Sequence, residues 1–336
     1  MATIHDVAQR AGVSPITVSR VINRSGYASQ ETRERVEAAV AELGYVPNRL
    51  ARSLRSKRTH TLALVLTDIT NPFFTTVARG VEDTASDAGY TVIFCNTDES
   101  ENEEKKYLQV LLQQQVDGIL LVPARSAPDS IDLIRKQHTP VVVLDRRVPS
   151  GVEVDTVRCE NELGAYQLVR LLIELGHQRI AILSGPLGVS TAEDRLAGYR
   201  RAMREAGHAA EAQLVVYGLF NQASGAEMMR QILELEPRPT GIFAANNLIG
   251  IGALHAMQEA GLRVPEDMAV VSFDDLPPTL LTSPFFTVAA QPAYEMGQRA
   301  TQLLLARLTG DASAPCQEII LPTELVVRQS SGQPRG

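Results

Sequence analysis

Apolar residues recur at helical spacing through the first 44 positions. From Leu62 onward they gather into short runs separated by amphipathic stretches, so the chain reads as a small helical unit followed by a long alternating one. In the first unit Ile4, Val7, Ala8 and Ala11 line one face, and Thr3 with Asp6 has the form of a capping box with Asp in place of Glu. Gly12 suits the left-handed residue that ends a helix, and Val13 turns back to the core. Ser14 is an N-cap and Pro15 a first-turn residue. The second helix then turns Val18, Val21 and Ile22 inward and Pro15, Ile16, Thr17, Ser19, Arg20 and Asn23 outward. Ala8 and Gly12 are small enough for two helices to cross closely. A third helix starts near Ser29, buries Val36, Ala39, Val40 and Leu43, and closes at Gly44.

The long unit predicts strands at Leu62–Leu66, Thr91–Cys95, Ile119–Val122, Val141–Leu144, Ile180–Leu183, Gln213–Val216, Gly241–Ala244 and Ala269–Phe273. Helices such as Glu101–Gln114 and Asn161–Leu175 lie between them. Alternation of this kind makes parallel sheets with helices on both faces. A break near Cys159–Asn161 divides the series into two similar halves. A last helix, Tyr294–Leu308, and a final strand, Ile319–Val327, return the chain through both. The fold class expected is a small all-α helix-turn-helix head plus an α/β core of two lobes, each a doubly wound parallel sheet. The expected divisions are a head at 1–47, a hinge helix at 48–58 and a core at 59–336. Within the core, a first lobe takes about 59–159 and 292–319, and a second about 160–291 and 320–330.

Charge sharpens this division. The first 58 residues carry ten Lys and Arg against five Asp and Glu, whereas the other 278 carry 22 against 34. Duplex DNA attracts a basic module and repels an acidic one, so DNA contact is expected only at the head. Cys95, Cys159 and Cys316 are odd in number and far apart, which fits reduced core residues better than disulfides or metal ligands. The start has no basic segment followed by an apolar stretch, and no run approaches the roughly 20 residues of a membrane span. A cytoplasmic protein without membrane contact is expected.

In a helix-turn-helix the second helix enters the major groove. Arg20 is the candidate for bidentate contact with guanine, and Ile16 for pressing on a thymine methyl. Ser14, Pro15, Thr17 and Ser19 lie on the same DNA-facing surface, with Asn23 and Arg24 as phosphate contacts. In the segment 47–58, Asn48 can cap a short basic helix that is marginal in isolation. Leu54 between Arg52 and Arg55 suits an apolar wedge in the minor groove with cations on neighbouring phosphates; a solvated linker is the plain alternative.

Ligands of parallel α/β sheets bind beyond the carboxyl ends of the strands. Asp68, Asn71-Pro72-Phe73-Phe74, Asn96, Asp145-Arg146, Gly185, Asn246-Asn247, Phe273-Asp274 and Gln291 all fall there. Carboxylates, guanidinium groups and amides pair with adjacent hydroxyls, while phenyl rings cover C–H surfaces, as a small polyhydroxylated ligand requires. Taken singly, Asp145 with Arg146 or Arg195 with Asp274 also fits a structural ion pair, Asn246 a helix cap, and Phe73 and Phe74 core.

The segments Ala2-Thr3-Ile4-His5-Asp6-Val7-Ala8, Val18-Ser19-Arg20-Val21-Ile22-Asn23 and Leu50-Ala51-Arg52-Ser53-Leu54 resemble the head and hinge of the lactose/galactose repressor family. The resemblance continues at Gly176–Ala181, Asp194–Tyr199 and Leu262–Pro265. It implies operator binding, a periplasmic-binding-protein-like core and a minor-groove role for Leu54. Asn71, Phe73, Phe74, Asp145, Arg146, Arg195, Phe220, Asn246, Phe273, Asp274 and Gln291 also follow the order of the site in ribose-binding proteins. This resemblance implies ribose or a close pentose as effector, with a purine base or a hexose as competitors. Asn247, where many members carry Asp, and Glu160-Asn161, in place of a common Asp-Asn, depart from the family pattern near this site.

Three other classes fit less well. The six histidines do not cluster with a nucleophile, and no phosphate-cradling loop or metal-ligand spacing reads out of the chain, so neither an enzyme nor a cofactor is expected. A solute-binding receptor fits the body but not the basic head. An architectural DNA protein leaves the strand-end chemistry without a use. The expectation is a homodimeric repressor on a near-palindromic operator, released from DNA by a sugar inducer.

Overall fold

A computed structural model describes residues 2–22, 25–46, 58–208, 210–276, 285–310 and 314–333. The chain divides into two compact units, 1–59 and 60–336. Asn23, Arg24, Asn48, Arg52, Leu54 and Arg55, and with them the expected hinge helix but for Arg58, lie outside the described residues.

The first unit has three helices, α1 (Ile4–Ala11), α2 (Pro15–Ile22) and α3 (Gln30–Leu43). Both halves of the Thr3–Asp6 capping box form. Ser14 Oγ accepts the Thr17 N–H at 3.2 Å, so it caps α2, and Ser29 caps α3 in the same way. Val7, Ala8, Ala11, Val18, Val21, Val36 and Ala39 form the core, with Val40 and Leu43 half-buried at its margin. Gly12 does not serve a close crossing, because the space where its Cβ would stand is open. Its φ of 67° is the reason for glycine there.

The second unit contains two six-stranded sheets. The first sheet orders β11-β5-β4-β3-β1-β2, with β1 (Thr61–Leu66), β2 (Thr91–Asn96), β3 (Gly118–Leu121), β4 (Val141–Leu144), β5 (Asp155–Cys159) and β11 (Glu318–Leu321). The second orders β12-β10-β9-β8-β6-β7, with β6 (Ile180–Ser184), β7 (Val215–Tyr217), β8 (Gly241–Ala244), β9 (Ala269–Phe273), β10 (Thr287–Ala290) and β12 (Glu324–Val326). All pairings are parallel except β10 with β12.

Helices α4 (Pro72–Asp87), α5 (Glu101–Gln113), α6 (Asp129–Arg135) and α11 (Ala293–Thr309) accompany the first sheet. The second sheet has α7 (Asn161–Glu174), α8 (Ser190–Glu205), α9 (Gln222–Leu233) and α10 (Asn247–Glu259). Leu62, Leu64 and Leu66 point to the α4 and α11 side, while Ala63 and Val65 point to the α5 and α6 side. A strand buried on both faces reads as a continuous apolar run for this reason. At the α4–α11 crossing, a Cβ on Gly297 would stand 2.2 Å from the Val77 carbonyl oxygen, so only glycine fits.

Four strand expectations differ from the structure. β5 was not legible as a strand, because Asp155 and Arg158 interrupt its apolar run. The final strand is two strands, β11 and β12, broken at Pro322-Thr323 so that one segment joins each sheet. The Gln213 strand opens instead with a 3-10 turn, Ala212–Leu214. β10 is a further strand that the expected series did not include. Cys95 and Cys159 are buried thiols, whereas Cys316, just before β11, is exposed. Among the described residues no helix is long and apolar enough to cross a membrane.

Candidate functional site

The chain passes between the two sheets three times, from β5 to α7, from β10 to α11 and from β11 to β12. The carboxyl ends of both sets of strands border one cleft of about 430 Å³. From the first lobe it is lined by Thr67, Asp68 and Thr70, by Asn71, Phe73 and Phe74 at the start of α4, by Asp98–Ser100, Arg125, and Asp145-Arg146. The second lobe contributes Thr191 and Arg195 of α8, Leu219–Asn221, Asn246, Asp274 and Gln291. Ten of the eleven expected effector residues therefore meet in one place.

Phe273 is the exception. As the last residue of β9 it turns into the core beneath α7, fully buried, with the Arg195 guanidinium 3.8 Å above its ring. Successive strand residues point to opposite sides, so Phe273 and Asp274 cannot both face the ligand. A left-handed φ of 65° at Asp274 directs the chain, and this carboxylate, into the cleft.

Asn71 caps α4 by accepting the Phe73 N–H at 3.0 Å, which fixes the start of the helix carrying both rings. Phe73 and Phe74 meet edge to face, with centroids 5.0 Å apart and planes at 68°. Asn246 caps α10 through its Oδ1, 2.8 Å from the Ile249 nitrogen, leaving its amide group for a ligand. Phe220 is held over Gly185, where any Cβ would stand 2.2 Å from the ring.

The charged groups form two networks, one from each lobe. Arg146, 1% exposed, donates through Nη1 to the carbonyls of Pro123 and Ala124, and through Nη2 to both oxygens of Glu99 at 2.7 and 2.8 Å. Its Nε lies 3.9 Å from Asp145 and, among the described residues, donates to no partner. Arg195 donates through Nε to Asn161 at 2.8 Å and through Nη1 to the Ala245 carbonyl at 2.6 Å, and stands 3.6 Å from Asp274. Gln291 donates to Asp274 at 2.5 Å. Burial pushes the Asp145 carboxyl up to about 6, against the opposing pull of Arg146 and Arg195. Burial also raises Asp274, with Arg195 and Gln291 opposing.

Glu99, Arg125 and Asn161 did not enter the expected set. Asn161 belongs to the Glu160-Asn161 pair, in which Glu160 is the departure from the family pattern, and here it holds Arg195. Glu99 and Arg125 lie several residues beyond their strand ends, where a rule about strand ends does not reach. Asn96, by contrast, builds the loop beside the cleft, accepting the Ile69 N–H at 2.8 Å and donating to Asp98.

On the head, α2 leaves Arg20 and Ser14 exposed and Ile16 63% exposed, with Pro15, Thr17 and Ser19 half-buried beside them. Ser14 and Thr17 hydroxyls share a hydrogen bond at 2.9 Å. Gly26 sits against Arg20, with its would-be Cβ 3.8 Å from the Arg20 Cδ.

Residues 3–48 match the model of bacterial regulatory proteins of the lacI family, and residues 169–331 match a periplasmic binding protein-like domain. A ribose operon repressor of Halalkalibacterium halodurans is 39% identical over 98% of this chain and 97% of its own length. An HTH-type transcriptional repressor PurR of Photobacterium profundum is 36% identical, covering 98% of both. The lac repressor dimer, solved bound to operator and an anti-inducer, superposes with a TM-score of 0.85 at 30% identity, covering 98% of this chain and 99% of that one. Head and core are thus matched together, end to end, by repressors rather than enzymes, and this chain belongs to the lacI family of bacterial regulatory proteins.

Proposed function

We propose that this protein is a homodimeric, cytoplasmic transcriptional repressor whose hold on a near-palindromic operator is released by ribose or a closely related pentose. In this reading residues 1–47 are the DNA-binding head, 48–58 the hinge and 59–336 the effector and dimerisation core. The first lobe takes about 59–159 and 292–319, the second about 160–291 and 320–330. Ser14, Pro15, Ile16, Thr17, Ser19, Arg20, Asn23 and Arg24 meet DNA in the major groove or along its edges. Asn48, Arg52, Leu54 and Arg55 act in the hinge.

The observation that carries the effector assignment is the meeting of Asp145 from one lobe with Arg195 and Asp274 from the other, beside Phe73, Phe74 and Phe220. Buried carboxylates and a guanidinium give paired hydrogen bonds to neighbouring hydroxyls, and the rings cover one face of a small sugar. The ribose operon repressor relative supports the same choice. Phe273 acts from behind, as the surface on which Arg195 rests.

A purine effector has the support of the PurR relative. A flat base needs a parallel slot, however, and Phe73 and Phe74 stand 68° apart. A hexose is the nearer competitor. Thermal denaturation with ribose, other pentoses, hexoses, hypoxanthine and guanine separates these, because a cleft ligand raises apparent stability. Ribose is expected to give the largest shift; a shift from a purine alone would replace the sugar reading.

A further inference from the structure

Arg146 is a cleft cation whose charge is already answered within the protein. We propose that Glu99 is a specificity-determining residue, neutralising Arg146 so that the cleft takes uncharged ligands and excludes phosphate esters of the same sugar. This deepens the effector reading and rests on the cleft being the ligand site.

A guanidinium has five N–H donors. On Arg146, Nη1 is taken by the carbonyls of Pro123 and Ala124 and Nη2 by both oxygens of Glu99. Among the described residues only the buried Nε of Arg146 is without a hydrogen-bond partner, so this side chain cannot present the two-pronged fork that binds phosphate. Arg195 has spent Nε on Asn161 and Nη1 on Ala245, and that Nη1 also stands 3.6 Å from Asp274. Arg125, the third guanidinium on the lining, stands 3.6 Å from Glu101.

Against these three guanidinium groups the lining sets five carboxylates, those of Asp68, Asp98, Glu99, Asp145 and Asp274. A phosphate dianion brought into this cleft would meet a surplus of its own sign in a partly desolvated place.

The backbone holds Glu99 in this role. Asp98 and Glu99 both have left-handed φ, 49° and 58°, which is uncommon for residues with a side chain. That turn brings the chain back from the end of β2, and the Glu99 N–H donates to the Thr67 carbonyl at 3.1 Å. The carboxylate is thereby returned to Arg146, on the neighbouring side of the same lobe.

Calorimetry with ribose against ribose 5-phosphate, and glucose against glucose 6-phosphate, tests the proposal on the wild type, Glu99→Gln and Glu99→Asp. The wild type is expected to bind a neutral sugar and to bind its phosphate at least about 100-fold more weakly, the scale of an uncompensated buried charge. Glu99→Gln should narrow that ratio by about 10-fold or more, and Glu99→Asp should preserve it, because the former frees Arg146 and the latter keeps the charge. The wild-type ratio is read independently of how either variant folds. Glucose binding without ribose binding, with its phosphate still excluded, would remove the pentose assignment and leave the charge exclusion standing. A phosphate bound as tightly as its parent, a ratio unmoved in folded Glu99→Gln, or no neutral sugar bound at all would overturn the proposal.

Discussion

Asn247 Nδ2, in the second lobe, donates to Asn71 Oδ1, in the first, at 3.2 Å. The same Oδ1 caps α4 by accepting the Phe73 N–H, so a bond between lobes and the seat of an aromatic side chain share one atom. Both asparagines are buried, and Asn247 Oδ1 has no partner among the described residues. A carboxylate at 247 could only accept, and Asn71 must keep its oxygen toward α4. This gives a physical reason for amide in place of acid at that position.

Asn247→Asp should therefore weaken effector binding. Replacing a donated bond with two facing acceptors in a buried place costs about 1–3 kcal/mol, or roughly 5- to 150-fold in affinity. Calorimetry with ribose checks it, and unchanged affinity would show that this bond plays no part in holding the lobes together.

Gly185→Ala should displace Phe220. The added Cβ would stand 2.2 Å from the ring, and the half-buried Phe220 must swing away from the cleft wall. Loss of one aromatic contact predicts a fall in ribose affinity of about 10-fold, in line with roughly 0.5–1.5 kcal/mol beyond area burial for such contacts. A variant with wild-type affinity would place the ring outside the binding surface.

Much of this arrangement was legible because strand ends collect ligand groups whatever the ligand. Asp145, Asp274 and Gln291 could be placed from the run of apolar segments along the chain, and Arg195 from the resemblance to ribose-binding proteins. Phe273 was misplaced because adjacency in sequence hides alternation across a strand. Glu99 was missed because its position depends on two left-handed residues, for which Asp98-Glu99 carries no glycine signal. β5 escaped because Asp155 reads as a surface residue. It is buried, held by Arg307 at 2.6 and 2.9 Å, and that partner lies 152 positions away. Local pattern carries no trace of such a pair.

The raised Asp145 gives a pH dependence of definite sign. Its folded value of about 6 exceeds the ordinary 3.8, so the folded state holds the proton more tightly across that window. The stability this contributes is present in full below pH 3.8 and is lost as pH rises through about 6. Asp145→Asn removes that loss, so the variant should gain on the wild type by roughly 2–3 kcal/mol between pH 4 and 7.5. Denaturant unfolding of both proteins across that range measures it; a difference independent of pH would contradict the burial of an ionising Asp145.

On the head, Arg20 and Ile16 are the open side chains of α2. Arg20→Ala should weaken binding to the preferred site by about 1–3 kcal/mol and relax preference at one base pair of each half-site. Competition with single-base operator variants reads this directly. Equal loss across all sequences would make Arg20 a phosphate contact instead.

The most direct measurement uses an operator selected by the purified protein from random duplex DNA, labelled, bound and titrated with ribose at fixed salt. Two copies of the chain on one near-palindromic site are expected, with DNA released as ribose fills the cleft. Linkage requires operator to weaken ribose binding by the same factor, about 5- to 150-fold. Tighter DNA binding would make ribose a corepressor, and an unchanged complex at saturating ribose would contradict a sugar-controlled switch.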